Sequence, residues 1–321
     1  MEELSTIPTP CTTKIQALRD SIAQIIVGQT QATDLLLTSV IARGHVLIEG
    51  VPGVAKTLLA RVMAQLIDAR FSRVQFTPDL MPSDVLGTTV YNMKTGDFDF
   101  HPGPVFADVV LADEINRAPA KTQAALFEVM EERQVTVDGT PRAMSDVFTI
   151  IATQNPVEQE GTYKLPEAQL DRFLMKITMD YPTTDEEVEI LLRHQASAAF
   201  TRVDRLEPLL TPADLATLRD AAQQVRVEAS LLRYSAEIVD TTRHSTAAYL
   251  GAAPRAAVAI LSSAKAYALL QERDFVTPDD IKTVAPFVMH HRLLLTAEAE
   301  MQGYTPLQVA QRLIDKVEVP Q

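Results

Sequence analysis

The sequence predicts an α/β protein in which a mostly parallel sheet carrying a phosphate-binding loop is followed by a smaller all-helical domain. Three observations carry that expectation. Five short apolar runs alternate with helical patterns up to about Tyr181, a Gly-containing segment ending in Lys56-Thr57 directly follows the first run, and strand signals vanish beyond Tyr181.

The runs are 45–49 (HVLIE), 73–76 (RVQF), 108–112 (DVVLA), 147–152 (VFTIIA) and 174–179 (LMKITM), each bounded by polar, Gly or Pro residues. Helical periodicity appears between several of them, as at Leu58, Leu59, Val62, Met63 and Leu66. Near-continuous apolar strands separated by helices imply a sheet covered on both faces. Two interruptions read as inserted hairpins: residues 88–101 around Gly96, and residues 134–144 with an Asp138-Gly139 turn. They are either edge strands or surfaces that face a partner.

In the second half, Thr211-Pro212, Thr277-Pro278 and Thr305-Pro306 each place a capping hydroxyl before a proline suited to the first helical turn. Thr184 with Glu187 reads as a capping box opening a further helix. The Thr-Pro starts are unevenly spaced, so they do not mark a repeat. The expected division is residues 1–181 for the nucleotide-binding core and 182–321 for the helical lid.

With 321 residues, 46% hydrophobic and 22% charged, the chain has the composition of a folded globular protein long enough for about two domains. Cys11 is the only cysteine, which excludes an internal disulfide and cysteine-clustered metal sites and fits a reducing cytoplasm. The longest stretch free of Asp, Glu, Lys and Arg, residues 21–33, is far short of the ~20 apolar residues of a membrane span. The acidic start MEELS gives no export signal. A net charge of −13 opposes nucleic acid and anionic lipid at long range.

The segment GVPGVAKT at 50–57 supplies the parts a polyphosphate requires: a loop of converging backbone N–H groups, a following helix N-terminus, a Lys for the β/γ oxygens and a hydroxyl for Mg²⁺. The candidate nucleotide contacts are Gly50, Val51, Pro52, Gly53, Val54, Ala55, Lys56, Thr57 and Leu58. The usual P-loop pattern has Gly where Ala55 stands. Ala fits if that position has a helical φ, whereas a left-handed φ would disfavour it. The run at 109–112 ends in Asp113-Glu114, which a parallel sheet would deliver beside the loop. Asp113, with Thr57, is the candidate Mg²⁺ site, and Glu114 the group that activates water. Asn155, in the Thr153-Gln154-Asn155-Pro156 run, is placed to meet the γ-phosphate or the water, or else simply makes an Asn-Pro turn.

These residues, together with QFTPDLMPSDVLG (75–87), LADEINRAP (111–119), IATQNPVEQEGTYKLPEAQLDRF (151–173) and GAAPRA (251–256), make the chain resemble the MoxR family of AAA+ ATPases. The resemblance spans about residues 27–293 and implies ATP hydrolysis with Mg²⁺ in a ring, expected to be hexameric. It implies that Arg172 is an arginine finger reaching a neighbouring subunit, and that Arg255 is a second sensor coupling lid to phosphates. Each is otherwise a surface ion pair or, for Arg255, a cap. Val27-Gly28 would receive adenine, although Ile-Val-Gly also reads as a core pair and a helix stop. The resemblance further implies chaperone-like maturation of a client enzyme complex, by metal or cofactor insertion, with a separate von Willebrand factor A domain protein.

The hairpins match a helix-2 insert and a pre-sensor hairpin. Their charges are mixed, Lys94 and Arg142 against Asp97, Asp99 and Asp138, whereas a DNA-gripping hairpin would present more Lys and Arg. A DNA or RNA translocase is therefore the weaker reading. A nucleotide-gated scaffold without turnover would not need Glu114. His290 and His291, adjacent on a helix, project about 100° apart and form no metal box.

Overall fold

The computed structural model describes residues 9–156, 162–163, 165–196 and 201–320. Part of the 151–173 segment that carries the resemblance, residues 157–161 and 164, lies outside them, as does the acidic start. Two helices, α1 (Thr9–Ala23) and α2 (Thr30–Ile41), lead into β1 (Val46–Gly50), α3 (Lys56–Leu66) and β2 (Phe71–Gln75). A short α4 (Pro82–Leu86) precedes the hairpin β3 (Gly87–Asn92) and β4 (Asp97–Pro102). Next come β5 (Val109–Asp113), α5 (Ala120–Glu132), the hairpin β6 (Gln134–Val137) and β7 (Thr140–Ala143), β8 (Thr149–Gln154), α6 (Glu167–Leu170) and β9 (Met175–Met179).

The five apolar runs form a single sheet in the order β2-β5-β8-β1-β9, with every neighbouring pair parallel. Alternation along the strands divides the core. Val46, Ile48, Val109, Leu111, Ile151 and Ile177 pack on one side with α1, α2 and α3. Leu47, Val110, Ala112, Ile150 and Ala152 pack on the other with Leu126, Phe127 and Met130 of α5. Helices on both faces explain why the runs read as apolar rather than alternating.

Both hairpins form where expected, but neither joins the sheet, so they are not its edge strands. Asp138 and Gly139, at φ 49° and 75°, make the left-handed two-residue turn that the Asp-Gly pair favours. The hairpins meet each other: Thr89 Oγ1 donates to Asp138, and the Arg142 guanidinium lies 3.9 Å above the Phe100 ring. Val90, Tyr91, Met93 and Phe98 remain exposed on β3, β4 and their turn.

The second half comprises α7 (Thr184–Ala196), α8 (Pro212–Gln224), α9 (Ala229–Arg243), β10 (Ala248–Leu250), α10 (Pro254–Leu270), α11 (Pro278–Met289), β11 (Leu294–Leu295), α12 (Ala297–Met301) and α13 (Pro306–Asp315). Thr211, Thr277 and Thr305 each accept from the N–H three residues on, completing capping boxes with Asp214, Asp280 and Gln308. The box at α7 sits one residue earlier than expected: Thr183 N–H donates to Glu186 Oε2 at 2.7 Å. Thr-Thr-Asp-Glu-Glu satisfies the pattern in two registers, and the sequence alone does not choose between them. The expectation of no strands also fails, because β10 and β11 pair antiparallel. Three and two residues are too short to show a period.

The lid and the sheet's α1/α2 face share one hydrophobic cluster, in which Ile260, Leu269, Val284 and Val288 join Leu36, Val40 and Ile177. Arg219 of α8 is 2% exposed and pins the junction, donating to the Val40 carbonyl at 3.1 and 3.0 Å and to the Asp146 carbonyl at 2.6 Å. Burial, and then the charges of Arg133 and Arg43, push its pKa down to about 10.

Three imidazoles are also buried, and none joins a metal cluster among the described residues. His45 Nδ1 accepts from the Ile150 N–H at 2.9 Å, so its proton resides on Nε2, facing the Met130 carbonyl at 3.2 Å. Burial, then Arg133, lowers its pKa to about 3. Burial, then Lys176, lowers His290 to about 3, and burial with Arg292 pushes His291 well below its usual value. The unfolded chain protonates these rings near pH 6.5 while the fold holds them neutral, so their contribution is full above that pH and is lost as pH falls. Between pH 7 and 5.5 each ring should cost about 1 kcal/mol. Urea unfolding across that interval should reveal a falling midpoint, and His45→Asn should flatten the dependence.

Candidate active site

Because the sheet is parallel, the C-terminal ends of β1, β5 and β8 share one edge, and the predicted phosphate-site residues meet there. β1 ends at Gly50, where a Cβ would come within 2.5 Å of the Met179 carbonyl, so only Gly fits. Val51 is half-buried, Pro52 is exposed and Val54 is buried. The loop then passes through Gly53 (φ 89°) and Ala55 (φ 66°, ψ 21°) before α3 starts at Lys56. The helical φ that would make Ala easy at position 55 is therefore not what the loop adopts. The turn into α3 requires a left-handed residue, and Ala occupies it at a steric cost of about 1 kcal/mol.

Lys56 Nζ donates to the Gly50 carbonyl and, at 3.4 Å, to the Gln154 carbonyl, which spans the gap between β1 and β8. Thr57 Oγ1 lies 3.5 Å from Asp113 Oδ2. Asn155 follows β8 directly and is buried.

The sequence reading missed the residues that hold the two acids. Arg73 donates to Asp113 Oδ2 through Nε at 3.0 Å and Nη2 at 2.7 Å. Gln75 Nε2 donates to Glu114 Oε2 at 2.7 Å, and Arg117 Nη1 to the same oxygen at 3.1 Å. Thr153 Oγ1 donates to Asp113 Oδ1 and accepts the Glu114 N–H at 2.9 Å. RVQF shows only that Arg73 and Gln75, two apart on β2, share a face; the pairing of Gln75 with Asp113 is what brings them to the acids. Glu114 itself has φ 56°, a left-handed backbone for a residue at the site's centre.

Beside the loop lies a cavity of about 170 Å³ lined by Ile25, Ile26, Val27, Val54, Leu58 and Ile190, among others. Apolar walls against a phosphate loop suit a flat nucleobase. Val27 and Leu58 line this cavity, but Gly28 is not among the lining residues. At φ 76°, it lets Glu186 approach so closely that a Cβ would meet the carboxylate at 2.4 Å.

Arg172 and Arg255 lie elsewhere. β9 pairs with β1 from Val46↔Met175 to Gly50↔Met179, so Arg172, preceding β9, is at the sheet edge opposite the loop, about 13 Å of strand away. Arg172 Nη1 contacts the Phe127 carbonyl and Glu131 Oε2, both at 3.2 Å. Arg255, the second residue of α10, donates through Nη2 to Glu131 Oε1 at 3.0 Å, with Nη1 3.8 Å from Asp171. The two arginines are thus brought together, away from their own chain's phosphate loop.

A five-stranded parallel sheet with a Lys-Thr loop, an Asp-Glu strand end and a helical lid defines an AAA ATPase. The profile of the ATPase family associated with various cellular activities matches residues 45–175, and that of the AAA lid domain matches residues 240–315. A Bacillus subtilis (strain 168) protein, YeaC, is 46% identical over 301 residues, covering 94% of this chain and 93% of its own. The chaperone MoxR1 of Mycobacterium tuberculosis is 43% identical, covering 94% of this chain and 81% of its own. A crystal structure from Cytophaga hutchinsonii, assigned as an ATPase, superposes with TM-score 0.89 at 40% identity, covering 97% of this chain and 96% of that one. The chain belongs to the MoxR family of AAA ATPases, and it hydrolyses ATP.

Relieving the left-handed Ala should stabilise the fold. Ala55→Gly is expected to raise stability without nucleotide by about 1 kcal/mol, read as a higher urea midpoint at unchanged m-value.

Proposed function

We propose that this chain is the subunit of a chaperone-like ring remodeller, with residues 1–181 as nucleotide-binding core and 182–321 as lid. The observation that carries this reading is the separation of Arg172 and Arg255 from their own phosphate loop. Among the described residues neither of these two arginines reaches its own loop, and in this reading a head-to-tail neighbour supplies both. A hexamer is the expected closure.

At the loop edge, Lys56 exchanges its two carbonyl contacts for β/γ oxygens, while the loop N–H groups and the α3 N-terminus take the remaining phosphate charge. Thr57 and Asp113, hard oxygen donors already facing each other, would hold Mg²⁺, which when bound neutralises phosphate charge. Glu114 takes the proton of the attacking water, and Asn155 orients that water or the γ-phosphate. A neighbour's Arg172 and Arg255 stabilise charge in the transition state, and such fingers are worth ~10³–10⁵ in rate.

The client side of the proposal rests on the hairpins and on the chaperone MoxR1 relative. In this reading a von Willebrand factor A domain protein presents the client, an enzyme complex receiving a metal or cofactor. The paired hairpins, with exposed Tyr91, Met93 and Phe98, offer the docking surface. Arg142 lies against Phe100, and the exposed Tyr91, Met93 and Phe98 stand among the mixed charges of Lys94, Asp97 and Asp99, which favours a protein partner over nucleic acid. No helix among the described residues is long and apolar enough to cross a membrane.

Lys56→Ala should weaken nucleotide binding, and Glu114→Gln should retain it while losing turnover. Equal turnover in wild type and Glu114→Gln would overturn the assignment. Mixing Arg172→Ala with Lys56→Ala subunits should restore part of the ATPase activity, because some interfaces then pair an intact loop with intact arginines. Deleting residues 94–97 should leave basal hydrolysis near normal and abolish capture of the adaptor, measured by pull-down.

A further inference from the structure

Glu131 occupies the last turn of α5 and bridges two arginines from different parts of the chain. Its Oε2 accepts from Arg172, which arrives through the turn before β9, and its Oε1 accepts from Arg255 of the lid. Asp171 steadies the far side of Arg255 at 3.8 Å and is itself held by Arg292, whose Nε donates to Asp171 Oδ1 at 2.7 Å. Arg292 is almost fully buried, with its side chain 5% exposed, so this end of the chain of charges is fixed in the core. The series runs Arg292, Asp171, Arg255, Glu131, Arg172, with guanidinium and carboxylate alternating.

Two guanidiniums this close repel each other, and without a shared counter-charge they would splay apart. A single carboxylate that accepts from both brings them to a separation set by its two oxygens. That is also the arrangement in which two cations meet neighbouring oxygens of one phosphoryl group. Arg255 remains 64% exposed along its side chain and Arg172 30% exposed, so both can be reached from outside the chain.

Building on the trans-acting reading above, we infer that Glu131 is a positioning residue that locks Arg172 and Arg255 into one two-pronged unit aimed at a single phosphate of the neighbouring subunit. Glu131 does not touch ATP. It acts through the arginines, and it links one on the core to one on the lid, so the unit is complete only when the lid is seated on the sheet domain. Gln is nearly isosteric but has one acceptor oxygen in place of two, so Glu131→Gln releases one arginine. Asp keeps both acceptors on a shorter stem.

The test is ATP turnover by the assembled full-length protein. Glu131→Gln should lower kcat roughly 10- to 100-fold, the scale of a misplaced catalytic group, with KM for ATP within about twofold of wild type. Glu131→Asp should recover part of that loss. Arg255→Ala should cost less in the Glu131→Gln background than in wild type, as expected of residues that work as a unit.

Subunit mixing separates positioning from folding. Glu131→Gln mixed with Lys56→Ala should regain activity, since an intact arginine pair then meets an intact loop. Glu131→Gln mixed with Arg172→Ala should regain none, since both carry the defect on the same side of the interface. The inference is overturned if Glu131→Gln turns over within twofold of wild type. It is equally overturned if Lys56→Ala fails to rescue Glu131→Gln while still rescuing Arg172→Ala, because the defect would then lie in the fold of the variant. If Lys56→Ala rescues neither, the trans-acting reading itself falls, and this inference with it.

Discussion

Everything chemical in this chain depends on the parallel pairing of five strands. Parallel strands place all their C-terminal ends on one edge, and there the loop after β1, the acids after β5 and the amide after β8 converge without any being close in sequence. The same pairing places the start of β9 on the other edge, which is why Arg172 cannot join them. Each chain therefore carries the loop and its acids on one edge and the cluster of Arg172, Glu131 and Arg255 toward the other. A one-residue slip of β1 against β8 would turn Leu47 and Ile48 to the wrong faces, so the packing that stabilises the sheet also fixes the register of the chemistry.

The strands and the phosphate loop were legible because their signals are local. Five apolar runs became the five strands, and the Thr-Pro starts became capped helices, since a cap, a proline and a buried run each act within a few residues. The α7 cap was misplaced by one because two threonines precede two glutamates, and local chemistry does not separate those registers. β10 and β11 escaped notice because pairs this short are stabilised by the fold around them.

The polar contacts around the acids were not legible, for a different reason. Arg73 and Gln75 reach Asp113 and Glu114 across strands separated by 40 and 39 residues of chain, and only the sheet order makes them neighbours. Glu131 is likewise an ordinary acid in a helix until Arg172 and Arg255 arrive from two later segments. Ala55 shows the limit of steric reasoning from sequence. The methyl group makes a left-handed backbone unfavourable, yet the requirement to turn from β1 into α3 outweighs a penalty of about 1 kcal/mol.

The shared hydrophobic cluster has a mechanical consequence. Swinging α8, α10 and α11 away from the sheet domain would expose Ile260, Leu269 and Val284 and leave the buried Arg219 without its carbonyl partners. Helix α7 is different: none of its residues is buried, and Arg193 holds it to the Ala23 and Gln24 carbonyls at 2.8 Å each. Helix α7 thus rests on the body through polar contacts at its surface, and it carries Ile190 against the cavity beside the loop that follows β1. Opening that cavity costs a few surface hydrogen bonds, whereas bending the body would mean dismantling its core.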